Sequence, residues 1–387
     1  MIHRLRNVNM YAPQHMGLCH VLVAAGKIVA ISDSDIQIDE KLLITDEDFK
    51  GKRLVPGLID AHAHITGGGG EAGFKTKVPA LNLTQYTKAG VTTVIGLLGT
   101  DDTTRNTSSV IAQVYALREE GLSAWCYTGG YHIPLSTLTD SVRKDIVHIE
   151  PIIGVGELAI SDHRSSQPTF DEIARIAGDV HVAGLMTGKA GIIHFHLGDG
   201  KRGLDLIEKL ITETEIPPRV LNPTHCNRKI KLFEQACELT KKGITIDITA
   251  FPPTDSKDEY SAAQSFKRYM AKGLDKTKFT ISSDGGGCLP SFNEQGELLQ
   301  LDYGRCTLLS DCIKELLDEG YKVDQVLPAF TSNVAQLLRL KNKGQIKVGN
   351  DADFVVLDQE NRIQSVMALG QWHQRNYKTI KFGSFEQ

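Results

Sequence analysis

From Pro56 onward, apolar runs of strand length alternate with amphipathic stretches of helical length, which is the pattern of a parallel α/β architecture. The first run, Leu54-Val-Pro-Gly-Leu-Ile, leads into His62. Further strands are expected at 91–96, 123–127, 151–157, 191–196, 219–221, 244–248 and 278–281, making eight. Helices are expected between most of them. Near 104–119, Val110, Ile111, Val114 and Leu117 fall on one helical face, and similar stretches span 204–214, 229–242 and 326–338. Eight alternating units predict a TIM (β/α)8 barrel. An open doubly wound sheet is the competing reading. It is disfavoured because polar residues of ligand type close many strands rather than gathering at one switch point, and no GxGxxG opens the first unit.

The ends of the chain follow a different pattern. Residues 1–53 alternate short β-rich runs with turns, and the runs on either side of Gly26 predict a hairpin. From Gly344 turns and strands return, through Gly349-Asn-Asp-Ala-Asp-Phe-Val-Val. Residues 1–53 and 344–387 are therefore expected to form one small β domain, with the barrel, 54–343, inserted in it.

Candidate chemistry sits at the strand ends. His62 and His64 are spaced i, i+2, so on a strand they point the same way and can share one metal ion. Gly67 to Gly70 follow, and Glu71 comes next. Later strand ends add Glu157, His196, His225 and Asp284, with His194 the rival to His196 one strand repeat earlier. Four imidazoles and two carboxylates suit a pair of borderline divalent ions, zinc first.

Composition narrows the partners. At 387 residues, 41% hydrophobic and 23% charged, the chain can bury a barrel-sized core. A net charge of -4 with no basic stripe argues against nucleic acid and anionic membranes, and no window is long enough to span a bilayer. A small-molecule substrate is expected. Met1-Ile-His-Arg-Leu-Arg is not followed by an apolar signal segment, and seven cysteines without a CxxC pair suit reduced thiols, so a cytoplasmic setting is expected.

A family resemblance emerges from the ordered motifs. Pro56-Gly-Leu-Ile-Asp-Ala-His-Ala-His64, the later strand-end histidines, Ser283-Asp284 and Gly349-Asn-Asp-Ala-Asp-Phe-Val-Val are similar to the amidohydrolase superfamily. Within it, Gly67-Gly-Gly-Gly-Glu71, Gly99-Thr100-Asp101, Gly129-Gly-Tyr131-His132, Ala159-Ile-Ser-Asp-His-Arg164-Ser, His196-Leu-Gly-Asp199, Pro223-Thr-His225-Cys-Asn-Arg228 and Ser282-Ser-Asp284-Gly resemble the isoaspartyl dipeptidases. The resemblance implies a TIM barrel in a split β-sandwich, a metal centre and a homo-oligomer.

It also implies roles. His62 and His64 would bind the more buried metal, and His196 with His225 the other. Asp284 would contact the first metal and shuttle protons while a metal-activated hydroxide attacks the amide. Glu71 would take the α-amino group of a β-aspartyl dipeptide, Arg164 and Arg228 its carboxylates, and Tyr131 the scissile carbonyl; Thr100 and Cys288 would add substrate contacts. Two positions depart from the pattern. Glu157 stands where a carboxylated lysine often bridges the two metals, and as an anion with two oxygens it can bridge in its place. Cys288 stands where the dipeptidases have serine, and a thiol donates hydrogen bonds less well. N-acyl amino acids and cyclic amides are the alternative substrates, and a non-catalytic barrel the alternative outside catalysis. A serine or cysteine hydrolase is excluded by the lack of a GxSxG-type nucleophile motif.

Overall fold

The computed structural model describes residues 2–42, 45–252, 257–292 and 298–386. Eight parallel barrel strands follow in chain order: Leu58–Ala63, Val91–Gly96, Ser123–Thr128, Ile152–Ile160, Ile193–Leu197, Leu221–Thr224, Ile246–Thr249 and Phe279–Ser282. The first six form one continuous ladder, and the seventh pairs with the eighth. Backbone bonds span the two seams. Cys226 N–H reaches Asp247 O at 3.3 Å between the sixth and seventh strands, and His64 N–H reaches Gly285 O at 2.7 Å between the first and eighth.

Side chains reinforce those seams. Asp247, buried on the seventh strand, accepts from Thr224 Oγ1 at 2.7 Å, Thr280 Oγ1 at 2.6 Å and Ser282 Oγ at 2.5 Å, tying three strands to one carboxylate. Asp60 accepts from Ser283 N–H at 3.1 Å and from the Ser283 hydroxyl. Burial raises the Asp60 pKa to about 6 despite these bonds.

Helices cover the barrel for local reasons. The helix Phe170–Thr187 starts at Thr169, whose side chain accepts from Glu172 N–H while Glu172 reaches back to Thr169 N–H at 2.8 Å, a capping box. It ends at Gly188 in the left-handed conformation, φ 72°. Its buried face carries Ile173, Ala177, Val180 and Ala183, at spacings of four and three.

Some elements differ from the sequence expectation. The helix expected over 326–338 is broken into Val323–Val326, the 3-10 turn Leu327–Phe330 and Ser332–Leu337. Pro328 removes a donor there, and Thr331 leaves helical backbone geometry at φ -139°. The sixth strand starts at Leu221 rather than 219, because Pro218 opens a 3-10 turn over Pro218–Val220. Beyond the eighth strand, Cys288–Phe292 and Leu298–Tyr303 form an antiparallel hairpin that the pattern did not signal.

The two chain ends share one nine-stranded sheet. Its seam is the antiparallel pair Arg53–Pro56 and Phe354–Leu357, with Val55 opposite Val355. The expected hairpin is His15–Ala24 with Lys27–Ser32. Phe49 stacks on Trp372 with centroids 6.2 Å apart, and Arg375 pairs with Glu47, so segments distant along the ladder face each other across a sandwich. Leu5, Val8, Met10, Val21, Val23, Phe354, Val356 and Met367 fill its core. Lys343 joins the two units: its buried ammonium lies 2.6 Å from Asp353 Oδ2, 2.8 Å from Asp351 Oδ2 and 2.6 Å from Ser123 Oγ on the third barrel strand.

Candidate metal and substrate site

The strand periodicity aims Asp60 and His62 to one side of the first strand, and His194 and His196 to one side of the fifth. On the fourth strand the register against the fifth slips between His194 and Phe195, which face Gly156 and Leu158. Glu157 is the extra residue of that bulge, and its side chain enters the barrel end. His225 and Asp284 both sit just past a strand, with left-handed backbone at φ 58° and 52°. That conformation is rare for residues with a Cβ and concentrates at functional sites. It turns the chain out of the strand while leaving the side chain over the barrel mouth.

All six sequence-predicted ligands converge there, and all are buried. Glu157 is central. Its Oε2 lies 3.6 Å from His62 Nε2, 3.0 Å from His196 Nδ1 and 3.4 Å from His225 Nε2, and its Oε1 lies 3.4 Å from His64 Nε2. Asp284 Oδ1 is 3.3 Å from His62 Nε2 and 3.1 Å from His64 Nε2. Two sets keep their donor atoms within 4.8 Å of one another: His62, His64 and Asp284, and His62, Glu157 and His225. His196 stands beside them with its Nε2 on Asp162 Oδ2 at 3.0 Å. Two glycines make room, because a Cβ on Gly99 would lie 2.5 Å from His64 Cε1 and one on Gly287 2.2 Å from Asp284 Oδ1.

The donor set fits a divalent cation. His62 Nε2 and Asp284 Oδ1 are buried side by side with no hydrogen-bond partner among the described residues. Such groups are costly unless something binds them, and imidazole nitrogen with carboxylate oxygen is a zinc-type set. The charges interlock. Burial opposes ionisation of Glu157 and Asp284, yet the neighbouring imidazoles hold both well below the usual carboxylate range. Burial likewise opposes a charge on His62, yet Glu157 and Asp284 lift it to about 9. Burial keeps His225 well below the ordinary histidine value.

His194 is not placed among the ligands. Both of its nitrogens are taken, Nε2 by His62 Nδ1 at 2.8 Å and Nδ1 by Asn222 Oδ1 at 2.6 Å. Burial is the main cause of its pKa, lowered to about 3.

The residues expected around a substrate form a charged arc. Arg164 grips Asp162 through Nε and Nη2 at 3.1 and 2.8 Å, and its Nη1 lies 3.2 Å from Glu71 Oε1. Its guanidinium carbon is 5.7 Å from the Tyr131 ring centre. Tyr131 is buried, with its hydroxyl 2.8 Å from His196 Nδ1, and burial raises its pKa well above the ordinary phenol value. Arg228 Nε is buried without a hydrogen-bond partner among the described residues, and the guanidinium lies 5.7 Å from the Phe251 ring centre. Thr100 is half-buried in the turn after the second strand. Cys288 is half-buried against the glycine run, and burial pushes its thiol up to about 11. Asp162 was not singled out from sequence, although it lies inside the Ala159-to-Ser165 motif; Asn222 carried no local signal at all.

Residues 53–373, most of the chain, match the amidohydrolase family. The chain belongs to the amidohydrolase family. It is a metallo-hydrolase similar to β-aspartyl dipeptidases. The β-aspartyl dipeptidase of Fervidobacterium islandicum AW-1, solved in complex with β-Asp-Leu, is 41% identical, with a TM-score of 0.91 and 98% of each chain covered. A second structure of that enzyme gives 40% identity and a TM-score of 0.88. A dihydroorotase from Endomicrobium trichonymphae is 24% identical over 380 residues, covering 87% of this chain and 85% of the relative. Dihydropyrimidinase from Brevibacillus agri NCHU1002, at 17% identity and a TM-score of 0.68, shares the fold. In this amidohydrolase no helix among the described residues is long and apolar enough to cross a membrane.

Proposed function

We propose that this amidohydrolase cleaves the isopeptide bond of β-aspartyl dipeptides, and that His62, His64, Glu157, His196, His225 and Asp284 would hold two zinc ions there. The observation that carries the reading is the set of charges left to face a ligand beside the cluster once Asp162 has taken one edge of Arg164: the free edge of Arg164, the Arg228 guanidinium and the Glu71 carboxylate. A β-aspartyl dipeptide has two carboxylates and one ammonium, the complement of that pattern. Similarity to the Fervidobacterium islandicum enzyme solved with β-Asp-Leu supports the same substrate class.

A divalent cation bound at the cluster supplies an activated water and a Lewis acid for the carbonyl oxygen. Asp284 takes a proton from the attacking water and returns it to the leaving nitrogen, which must be protonated to depart. Tyr131 remains a phenol at neutral pH and donates its hydrogen to the developing oxyanion. The substrate ammonium replaces Arg164 as the partner of Glu71, freeing Arg164 Nη1 for a carboxylate, while Asp162 holds the guanidinium plane. Arg228 takes the other carboxylate, and Thr100 and Cys288 complete the contacts. The same proposal divides the chain into a β unit, 1–53 and 344–387, and a barrel, 54–343, with the outer-sheet strand Arg53–Pro56 carrying the chain across that boundary.

The test is to incubate zinc-reconstituted protein with β-Asp-Leu, α-Asp-Leu and N-acetyl-leucine, and to follow free leucine by chromatography alongside metal content. Release from β-Asp-Leu alone is expected. Release from N-acetyl-leucine instead would reassign the substrate, and protein that takes up no metal and cleaves nothing would overturn the catalytic reading.

A further inference from the structure

Two fully buried polar side chains, His194 and Asn222, run behind the metal-type cluster with no part in the proposed chemistry, and the far nitrogen of His62 links them to the site. Their hydrogen bonds define a direction. Asn222 Nδ2 donates to the Thr245 carbonyl at 2.7 Å. A carbonyl only accepts, so the amide nitrogen faces Thr245 and Asn222 Oδ1 faces His194. Oδ1 is itself only an acceptor, so His194 Nδ1 carries a hydrogen and donates across 2.6 Å. A neutral imidazole with hydrogen on Nδ1 has a lone pair on Nε2. That lone pair meets His62 Nδ1 at 2.8 Å, which must then donate. When His62 is neutral, as a ligand to a metal ion must be, this leaves its Nε2 bare, the atom that faces Asp284 and Glu157. Tyr127 stacks on His194, with centroids 5.3 Å apart and planes 20° from parallel, and resists rotation of the ring.

We infer that His194, oriented by Asn222, is a positioning residue that fixes the tautomer of His62 so that its Nε2 lone pair is presented to the metal. A ligating histidine usually has its other N–H held by a carboxylate or a backbone carbonyl. Here a neutral histidine does so, anchored on a backbone carbonyl two strands away. The arrangement sets His62 for metal without adding another negative charge to a site that already has two carboxylates. This inference rests on the metal reading of the cluster.

The test uses the full-length protein and titration of its metal-free form with zinc against a chromogenic chelator, with circular dichroism to check folding. His194→Phe keeps a ring but removes the acceptor, and is expected to weaken the tighter zinc by about 10–100-fold, the scale for lost outer contacts of a ligand. His194→Gln can accept from His62 Nδ1 through its amide oxygen and is expected to stay close to wild type. Asn222→Leu leaves His194 in place but frees its tautomer, and is expected to weaken zinc as well, which a packing role for His194 would not produce. Unchanged zinc affinity in folded His194→Phe or Asn222→Leu would overturn the inference, as would His194→Gln losing as much as His194→Phe. If His194→Phe does not fold, His194→Gln and Asn222→Leu decide. Wild-type protein that binds no zinc would overturn the metal reading itself, a separate result visible before any variant is made.

Discussion

Individual side chains in this site act through their neighbours. Asp284 is held ionised by His62 and His64 although burial opposes it, so it is present as the carboxylate that a base must be. Asp284→Asn preserves shape and removes the base, and is expected to lower kcat by roughly 10²-fold or more, the scale of a general acid-base contribution. Steady-state kinetics on metal-loaded variant would check it; near-wild-type kcat would remove Asp284 from the proton path. Arg228 has a buried Nε without a partner among the described residues, an arrangement that favours an anionic ligand. Arg228→Met is expected to raise KM for β-Asp-Leu by about tenfold or more with a smaller change in kcat, the signature of lost ground-state binding. An unchanged KM would place the substrate carboxylate elsewhere. The clustering of His62 and His64 was legible in sequence because the two-residue strand repeat puts them on one side. Asp162 was not, since a lone aspartate two residues before an arginine looks like many solvated turns until the fold brings it to His196.

Between elements, buried polar groups hold the joints. Lys343 spans from the outer sheet to the third barrel strand, its side chain only 3% exposed, with Asp351, Asp353 and Ser123 around it. Lys343→Met leaves buried Asp353 without its cation, while Asp351 keeps Lys27 at 2.6 Å, and is expected to cost about 3–5 kcal/mol in urea unfolding. A loss under 1 kcal/mol would mean that water replaces the ammonium. His373, on the strand Gln371–Arg375, is fully buried, and burial followed by Lys381 lowers its pKa to about 4. The unfolded chain, with an ordinary value near 6.5, binds more protons between those limits, so stability rises with pH across that window and is lost on acidification towards pH 4. The contribution is at most about 3 kcal/mol. His373→Phe is expected to flatten the slope of unfolding free energy between pH 7 and 5; an unaltered slope would place the acid sensitivity in other groups.

For the molecule as a whole, the metal-type cluster lies where strands one, four, five, six and eight end, so a bound cation links most of the barrel rim. Removing the bound divalent metal with a chelator is expected to abolish hydrolysis and lower the melting temperature by several degrees, since a ligand at 100 times its Kd adds about 2.7 kcal/mol. Calorimetry with and without restored zinc would check it, and an unchanged melting temperature would mean that the rim is rigid without metal. The amino-acid sequence by itself determined the class of fold and marked, at the strand ends, the polar residues that the fold gathers at one end of the barrel. Repeating apolar runs and amphipathic helices are local, periodic signals, and so are histidines at strand ends. Only the tertiary structure decided which polar residues meet. Glu157 reaches the centre through a one-residue bulge against the fifth strand, Asp247 gathers hydroxyls from the two strands beside it, and His194 lies behind the centre, where it binds Asn222 and His62. Each depends on register between segments far apart in the chain, where one-residue slips reverse a side chain's direction, and local pattern carries no record of that choice.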